Sequence, residues 1–475
     1  MNRSKKILTS FIWRLLERSG AQIISFVVSI ILARILEPNL YGVIALVTVL
    51  ISIMQVFVDS GLGSALVQKK DADDLDFSSV FYFNVLICSV LYVLMYFSAP
   101  FIALFYQLPE LTKIVRVLGL TLLFSGIKNV QQSYVYRHMI FKRFFYATVI
   151  GTLSSGFVGI MMAIQGFGVW ALVAQHLTST VVDTLVLWIT VKWRPKLIFS
   201  WRRLKGLLSY SWKILASSLA DTLYNNIQQM VIGKLYSTED LAHFSKGKHF
   251  PYLIINNVNV AIDSVLLPSM SQEQDDRKRI HSMLRRAMRT GTYIMAPLLI
   301  GLAAVAEPTV RILLTEKWIG AVPFLQIYCV TYLFYPIQTT TMNTLKAVGR
   351  SDIFLKFEIA KKLIGILALL IMMQYGVVAI AFSLLISSVT GFLMNCWINY
   401  RMFGYRYKEQ AADIIPNLVL SMIMVLGICW VPEVGMKDFL TLVLQIALGA
   451  AIYIGASFLT KNESINYILK IIAGK

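Results

Sequence analysis

Residues 11–36 read FIWRLLERSGAQIISFVVSIILARIL, which is long and apolar enough to cross a bilayer as a helix. The first three turns nevertheless carry polar residues at helical spacing along one side: Arg14, Glu17, Arg18 and Gln22. A charge at the bilayer centre costs about 2.5–3.5 kcal/mol on insertion scales, so membrane helices seldom keep charges without a role. The stretch therefore predicts a membrane helix with one polar side.

A similar stretch begins about 200 residues later, where Trp13-Arg14 is echoed by Trp212-Lys213 and LARILEP by IGKLYST. It also has polar residues along one side: Ser217, Asp221, Asn225 and Gln228. Two polar helices that open two similar halves of a chain indicate an internal repeat. They predict a polar cavity between the halves.

The composition excludes a soluble globular protein. The 475 residues are 57% hydrophobic with a mean hydropathy of +0.67. The net charge of +19 comes from Lys and Arg in the gaps between apolar runs, which is typical of cytoplasmic loops, so we expect no nucleic-acid partner. The cysteines lie inside apolar runs without metal-ligand spacing, which predicts no metal site and no bound cofactor: Cys88, Cys329, Cys396 and Cys429.

The hydropathy pattern predicts an all-α, polytopic membrane protein with about 14 transmembrane helices. The apolar segments are roughly 11–36, 41–67, 80–105, 114–136, 144–164, 168–191, 207–233, 241–267, 284–306, 321–345, 353–373, 376–400, 411–431 and 438–460. The eighth is the least regular, because Lys246, Lys248 and His249 interrupt it.

The distribution of Lys and Arg predicts the orientation. Alternate gaps, counted from a cytoplasmic N-terminus, hold 29 of these residues on the inside and five on the outside. The positive-inside rule then places both termini in the cytoplasm.

The longest inside gap, KWRPKLIFSWRRLKG at 192–206, separates the two halves. Asp59-Ser60 matches Asp263-Ser264, and GFGVWALVAQHLTSTV matches QYGVVAIAFSLLISSV. An even number of helices in each half predicts parallel copies. We predict three parts: a six-helix lobe at 1–196, a second six-helix lobe at 197–405, and two further helices with an interfacial tail at 406–475.

No motif in the sequence indicates an enzyme. There is no GxxxxGK[ST] loop and no GxGxxG after a strand, and the five histidines show no paired-ligand spacing. The outside gaps are short, so the chain offers no extramembrane domain to hold a donor and an acceptor. We expect a protein without catalytic activity.

The ionisable residues inside the helices are the candidate site. The cations are Arg14, Arg18, Lys128, Lys213, Lys246 and Lys248. The acids are Glu17, Asp59, Asp183, Asp221 and Asp263. The functional interpretation is a cavity between the halves, cationic enough to hold an anionic head group by charge-assisted hydrogen bonds.

Each residue also has a structural interpretation. Arg14 and Lys213 are equally consistent with snorkelling to the inner surface. The Lys246–His249 turn is a cationic rim or a broken helix turn. Asp59 and Asp263 fit helix ends, and Asp221 fits an ion or proton site or a partner for Lys213.

Several stretches resemble one family. ILARILEPNLYGVIAL, VDSGLGSALVQKKD, GFGVWALVAQ, WRPKLIFSW and TEKWIGAVPFLQI are similar to the polysaccharide biosynthesis family of Wzx-type O-antigen and teichuronic acid exporters. That family belongs to the multidrug/oligosaccharidyl-lipid/polysaccharide exporter superfamily. The resemblance implies two six-helix lobes with alternating access, and an undecaprenyl-diphosphate-linked oligosaccharide as substrate. It also implies a location in the bacterial cytoplasmic (inner) membrane, with membrane lipid and the polysaccharide polymerase machinery as partners. The sugars of such a substrate would lie beside Gln22, Asn225 and Gln228.

This chain departs from the family at two positions. Gln228-Gln229 stands where members often have Asp-Asn, and Lys246 stands where they often have Arg. Without that aspartate, the candidates for coupling transport to H⁺ or Na⁺ are the other acids: Glu17, Asp59, Asp221 or Asp263. The alternatives are a multidrug cation antiporter of the same superfamily, which the excess of cations disfavours, and a non-transport scaffold subunit of a polysaccharide assembly complex.

Overall fold

The computed structural model describes residues 3–59, 61–273, 276–430, 438–465 and 467. Every regular element in these residues is a helix. The α-helices are α1 Arg3–Ile35, α2 Pro38–Asp59, α3 Leu62–Gln68, α4 Asp74–Tyr106, α5 Leu111–His138, α6 Lys142–Ile164, α7 Val169–Thr190, α8 Trp201–Leu235, α9 Thr238–Gln272, α10 Arg277–Ala304, α11 Ala306–Leu314, α12 Val322–Leu333, α13 Tyr335–Ala347, α14 Ser351–Met372, α15 Val377–Phe403, α16 Tyr407–Cys429 and α17 Asp438–Leu459, with a 3₁₀ helix at Glu316–Ala321.

The chain is an all-α polytopic membrane protein, as predicted. Each predicted apolar segment coincides with one helix or with a helix that is broken once. In the described residues, nine helical stretches are long and apolar enough to cross a membrane. The polar helices α1, α8 and α9 are not among those nine. The number of fourteen spans therefore stays a prediction.

The chain divides into two compact units, residues 1–242 and 243–475. In the first unit α6 packs on α7, α4 on α5, and α1 on α6, while α8 packs against α2, α3 and α4. In the second unit α10 packs on α12 and α16, and α14 packs on α15. The predicted lobe boundary near residue 196 concerns the sequence repeat, and it remains a prediction.

Helix starts recur between the halves at matching positions. Asp73 caps α4 through the Asp76 backbone N–H, and Asp276 caps α10 through the Lys278 and Arg279 backbone N–H groups. Glycine precedes α7 and α15 at positive φ, +55° at Gly168 and +105° at Gly376. These local signals agree with the internal repeat in the sequence.

The break between α2 and α3 shows why a glycine is needed there. Gly61 has φ +105°, and a Cβ on it would come within 2.3 Å of the Ser211 Cβ on α8. Only glycine allows both this backbone conformation and this close approach. The break thus brings α3 directly onto α8.

Candidate substrate-binding faces

Helix α8 carries an exposed polar face. Lys213, Asp221 and Asn225 are exposed, although they lie on a helix packed into a membrane bundle. Spacings of four and eight residues keep them on one side of the helix. Exposed charges are stabilised by water or by a polar ligand against them. We therefore treat this face as a candidate binding face; Gln228, one turn beyond Asn225, is buried.

The candidate residues of α1 are only partly visible. Gln22 is half-buried on α1. The side chains of Arg14, Glu17 and Arg18 lie outside the described part of the structure, as does that of Asp263 on α9. Their predicted roles stay predictions.

Helix α9 is continuous through the Lys246–His249 turn, so the alternative of a broken turn is wrong. The helix lies flush against its neighbours because residue 247 is glycine. A Cβ on Gly247 would come within 2.6 Å of the Phe324 Cβ and 2.7 Å of the Ala321 carbonyl oxygen. This contact places the lysines on either side of Gly247 next to the start of α12.

Both lysines of this turn face aromatic rings. The Lys246 Nζ lies 5.7 Å from the Trp318 ring centroid, and the Lys248 Nζ lies 5.7 Å from that of Tyr328. A cation at this distance over a ring is stabilised by about 0.5–2 kcal/mol, more where water is excluded. Lys246 is 9% exposed and Trp318 is fully buried. The α9 cations are therefore held by aromatic packing.

Trp318 belongs to the short 3₁₀ helix of the TEKWIG motif. The His243 ring meets Trp318 edge-on at 5.9 Å, and the His243 Nε2 lies 3.2 Å from the Lys317 carbonyl oxygen. Gly320 leaves room for the His243 ring, since a Cβ there would come within 2.5 Å of it. The residues of this motif thus form the packed surface against which the Lys246 side chain lies.

The first unit contains an ion pair that sequence analysis missed. The Lys128 Nζ on α5 donates to the Asp183 Oδ2 on α7 at 2.7 Å, and both side chains are less than 20% exposed. The sequence analysis placed Lys128 among the cations and Asp183 among the acids inside the helices, without pairing them. The Lys128 ammonium already has a carboxylate partner.

Asp59 sits in a hydrogen-bond network next to that pair. Its carboxylate accepts from the Gln55 Nε2 and the Asn129 Nδ2, both at 3.2 Å. Asn129 in turn accepts from the Asn84 Nδ2 at 3.1 Å, and Lys128 lies within electrostatic range of Asp59. Among the described residues, no three His, Cys, Asp or Glu side chains form a metal-ligand set.

Two fully buried carboxylates tie helix ends together, one in each unit. In the first unit Asp76 accepts from the Lys69 Nζ at 2.6 Å and from Arg203 at 3.4 Å. Burial raises the pKa of the neighbouring Asp73, but hydrogen bonds from the Asp76 backbone N–H and from Arg203 together outweigh it and hold that pKa below its usual range.

In the second unit Asp413 on α16 accepts from the Arg285 Nε at 2.5 Å, from the Tyr405 hydroxyl at 2.7 Å and from Arg289. Arg289 also pairs with Glu463. The sequence analysis counted both arginines only as inside charges. The one available signal was an acid in the first turn of an apolar segment.

Two families of known proteins match the sequence of this chain. The family described as "Polysaccharide biosynthesis protein" matches residues 31–323, and the family "Lipid II flippase MurJ" matches residues 249–448. The chain belongs to the polysaccharide biosynthesis protein family. The resemblance that the sequence motifs indicated is thereby confirmed.

Named relatives of this family span the chain. It is 25% identical to the succinoglycan biosynthesis transport protein ExoT of Rhizobium meliloti, over 98% of this chain and 95% of the relative. It is 25% identical to the teichuronic acid biosynthesis protein TuaB of Bacillus subtilis, over 84% of each chain. It is 22% identical to the lipopolysaccharide biosynthesis protein WzxC of Escherichia coli, over 82% of each.

Solved structures show the fold of this family member. The inward-closed lipid II flippase MurJ superposes with a TM-score of 0.78 at 16% identity, over 95% of this chain and 99% of that one. An inward-facing multidrug resistance MATE transporter of the MOP superfamily gives 0.63 at 15% identity, over 83% and 95%. The fold is the one shared by these transporters.

Proposed function

We propose that this chain is a flippase that moves an undecaprenyl-diphosphate-linked oligosaccharide across the bacterial cytoplasmic membrane by alternating access, without catalysing a covalent reaction. The observation that carries this proposal is the pair of polar surfaces on membrane helices, the exposed α8 face and the lysines of α9. Family membership and the names of the relatives support it.

The proposed binding roles follow from chemistry. Arg14, Arg18 and Lys213 in the first unit, with Lys246 and Lys248 in the second, bind the diphosphate through charge-assisted hydrogen bonds, which are about twice as strong as neutral ones. Gln22 and Asn225 bind sugar hydroxyl groups. The prenyl tail remains in membrane lipid.

The proposed orientation has both termini in the cytoplasm, as the distribution of Lys and Arg predicts. A membrane potential that is negative inside then favours outward movement of an anion by about 2.3 kcal/mol per charge per 100 mV. Glu17, Asp59, Asp221 or Asp263 is the proposed site of any coupling to H⁺ or Na⁺. Handover to a polysaccharide polymerase outside the membrane would complete the process.

The multidrug cation antiporter remains the second candidate, because the MATE transporter shares this fold. Such a site needs acidic groups facing an organic cation. The described candidate residues of α8 and α9 bring three lysines, Lys213, Lys246 and Lys248, against one exposed acid, Asp221. This charge favours an anionic substrate.

The test is an accumulation assay in cells that lack this protein and are complemented with variants. Lipid-linked oligosaccharide on the inner leaflet is measured by its protection from a membrane-impermeant glycan-modifying enzyme. Wild type is expected to clear the accumulated lipid, while Lys213→Ala, Lys246→Ala and Arg18→Ala clear it more slowly. Lys205→Ala is the matched control, because Lys205 is an exposed lysine of α8 outside the predicted span.

Each result has a separate meaning. If no lipid-linked oligosaccharide accumulates without the protein, the flippase is wrong, and the antiporter or the scaffold subunit takes its place. If all variants clear the lipid as well as wild type and the control do, the flippase stands and the assigned binding residues are wrong.

A further inference from the structure

The second unit contains a cavity of about 580 Å³ among α10, α12, α13, α15 and α16, which we name the α16 slot. Its lining is almost entirely apolar and follows α16 from Tyr407 to Leu418. Eleven residues of helix rise about 16 Å, since each residue adds about 1.5 Å. That length is close to half of a hydrocarbon core about 30 Å thick. The slot therefore has the depth of a single leaflet.

The polar side chains in the lining are few, and the donors of Thr292 and Gln410 are already engaged. The Thr292 hydroxyl donates to the Met288 carbonyl at 2.8 Å. The Gln410 Nε2 donates to the Cys396 and Tyr405 carbonyls at 3.1 and 2.7 Å. The Gln410 Oε1 is a buried acceptor without a described partner, so a sugar or another polar solute could replace few of the hydrogen bonds to water that it would lose here. The chemistry of the slot fits a hydrocarbon chain.

The end of the slot at Tyr407 has the features of a membrane interface. The Tyr407 ring stacks on Tyr400 with centroids 5.1 Å apart, as aromatic residues do at the level of lipid head groups. Three exposed cations flank this end, and none of them forms an ion pair with a described residue: Arg401, Arg406 and Lys408.

The acid in the same turn does not cancel this charge. The Glu409 Oε2 accepts from the Arg406 backbone N–H at 2.9 Å and lies 3.8 Å from the His281 Nε2. Three cations against one engaged carboxylate leave a net positive end to an apolar slot. Basic pockets between membrane helices on the cytoplasmic side favour anionic lipid head groups.

We propose that the α16 slot binds one acyl chain of an anionic phospholipid of the inner leaflet, with the phosphate at Arg401, Arg406 and Lys408. The leaflet assignment rests on the orientation in the proposed function; the lipid site does not depend on the transported substrate. An acyl chain matches a slot one leaflet deep, whereas a long polyprenyl chain would extend beyond it. The bound chain fills the space between α16 and the helices of the second unit, so it should stabilise the fold by mass action.

The experiment uses the full chain, delipidated in detergent, and native mass spectrometry to count bound lipid. Phosphatidylglycerol, phosphatidylcholine and polyprenyl phosphate are the probes. We expect wild type to bind phosphatidylglycerol at least tenfold more tightly than phosphatidylcholine. Ala411→Phe should lower that affinity at least tenfold, because Ala411 lines the slot. The matched control is Ala412→Phe, an exposed neighbour outside the lining, which should bind like wild type.

A second measurement does not depend on whether Ala411→Phe folds. Phosphatidylglycerol with a diazirine near the chain end is crosslinked to the wild-type protein and mapped by peptide sequencing. Labels are expected on the slot residues Leu393 and Leu418, and labels spread over unrelated lipid-facing helices would overturn the proposal. The triple variant Arg401→Gln/Arg406→Gln/Lys408→Gln should keep the labels but lose the preference for phosphatidylglycerol.

Other results would also overturn the proposal. Equal binding of both phospholipids by wild type would contradict the preference for an anionic head group. Unchanged binding by a folded Ala411→Phe would show that the lipid does not bind in the slot. Polyprenyl phosphate that displaces phosphatidylglycerol from the slot would assign it to the transported lipid instead. If no lipid-linked oligosaccharide accumulates in cells that lack the protein while the purified protein still binds phosphatidylglycerol, the flippase is rejected and the lipid site stands.

Discussion

Lys213 on α8 and Lys246 on α9 differ in how far their side chains are exposed to solvent. Lys213 is exposed on a polar helix face, while Lys246 is 9% exposed with its ammonium 5.7 Å from the Trp318 ring. An exposed lysine keeps its rotamer freedom and is screened by salt, whereas a lysine packed on a ring has already lost that freedom. The comparison teaches that the α9 cation is preorganised by the fold and the α8 cation is not.

Lys128 extends this comparison to a lysine in a partly buried ion pair. Lys128→Met should lower the free energy of unfolding by about 3 kcal/mol, because Asp183 then lies between helices without its counterion. The double variant Lys128→Met/Asp183→Leu should recover most of the loss. Thermal unfolding in detergent measures both, with Lys205→Met as the control. A double variant as unstable as the sum of the single ones would contradict the pairing.

Gly247 tests the close packing that holds the α9 lysines. Gly247→Ala should destabilise the protein by about 1–3 kcal/mol, because the new Cβ overlaps the Phe324 Cβ and the Ala321 carbonyl oxygen. Gly206→Ala on α8 is the matched control, since nothing lies within 4 Å of a Cβ there. That control should gain up to about 1 kcal/mol from helix propensity. Equal unfolding midpoints for the two variants would show that α9 does not lie flush against α12.

Trp318 tests the preorganisation itself. Trp318→Leu should weaken binding of a short-chain prenyl diphosphate about fivefold, because freeing the Lys246 side chain costs about 1 kcal/mol in rotamer entropy. Trp318→Phe retains an aromatic face and should bind nearly as well as wild type. Calorimetric titration gives both affinities. If Leu and Phe at this position behave alike, the ring does not position the cation.

Lys213 should show the smallest effect. Lys213→Gln is expected to weaken the same binding only about twofold at low salt, since an exposed charge pair contributes about 0.5 kcal/mol. The difference should vanish at about 1 M salt, where the Debye length falls to about 3 Å. Lys213→Arg is the control that keeps the charge. A loss that persists in high salt would mean that Lys213 is as well fixed as Lys246.

Local sequence signals predicted most of the fold. All predicted apolar segments coincide with helices, because each buries enough apolar surface to specify a membrane helix on its own. The polar face of α8 was also visible, since residues four apart on a helix share a side. The helix breaks at Val305 and at Phe334 were not predicted from the sequence. Pro336 lies at the start of the helix that follows the second break.

The candidate site was predicted only by residue type. The sequence identified Lys246 and Lys248 as charges in an apolar segment but left a broken turn open as an alternative, because the lysines interrupt the apolar run and Gly247 has a low helix propensity. The close contact with Phe324 makes that turn regular in the structure. The network of Asp59 with Asn129 was missed because amides in apolar helices carry no periodic signal of their own.

The sequence by itself determined the class of protein, the helices and the family, because hydropathy and helical period are properties of short stretches. Only the tertiary structure decided the partners of the buried charges. Lys128 meets an aspartate 55 residues away, and Arg285 meets one 128 residues away. Such pairs depend on how each helix is rotated and packed against its neighbours, which is set by contacts between distant stretches rather than by the residues of either helix alone.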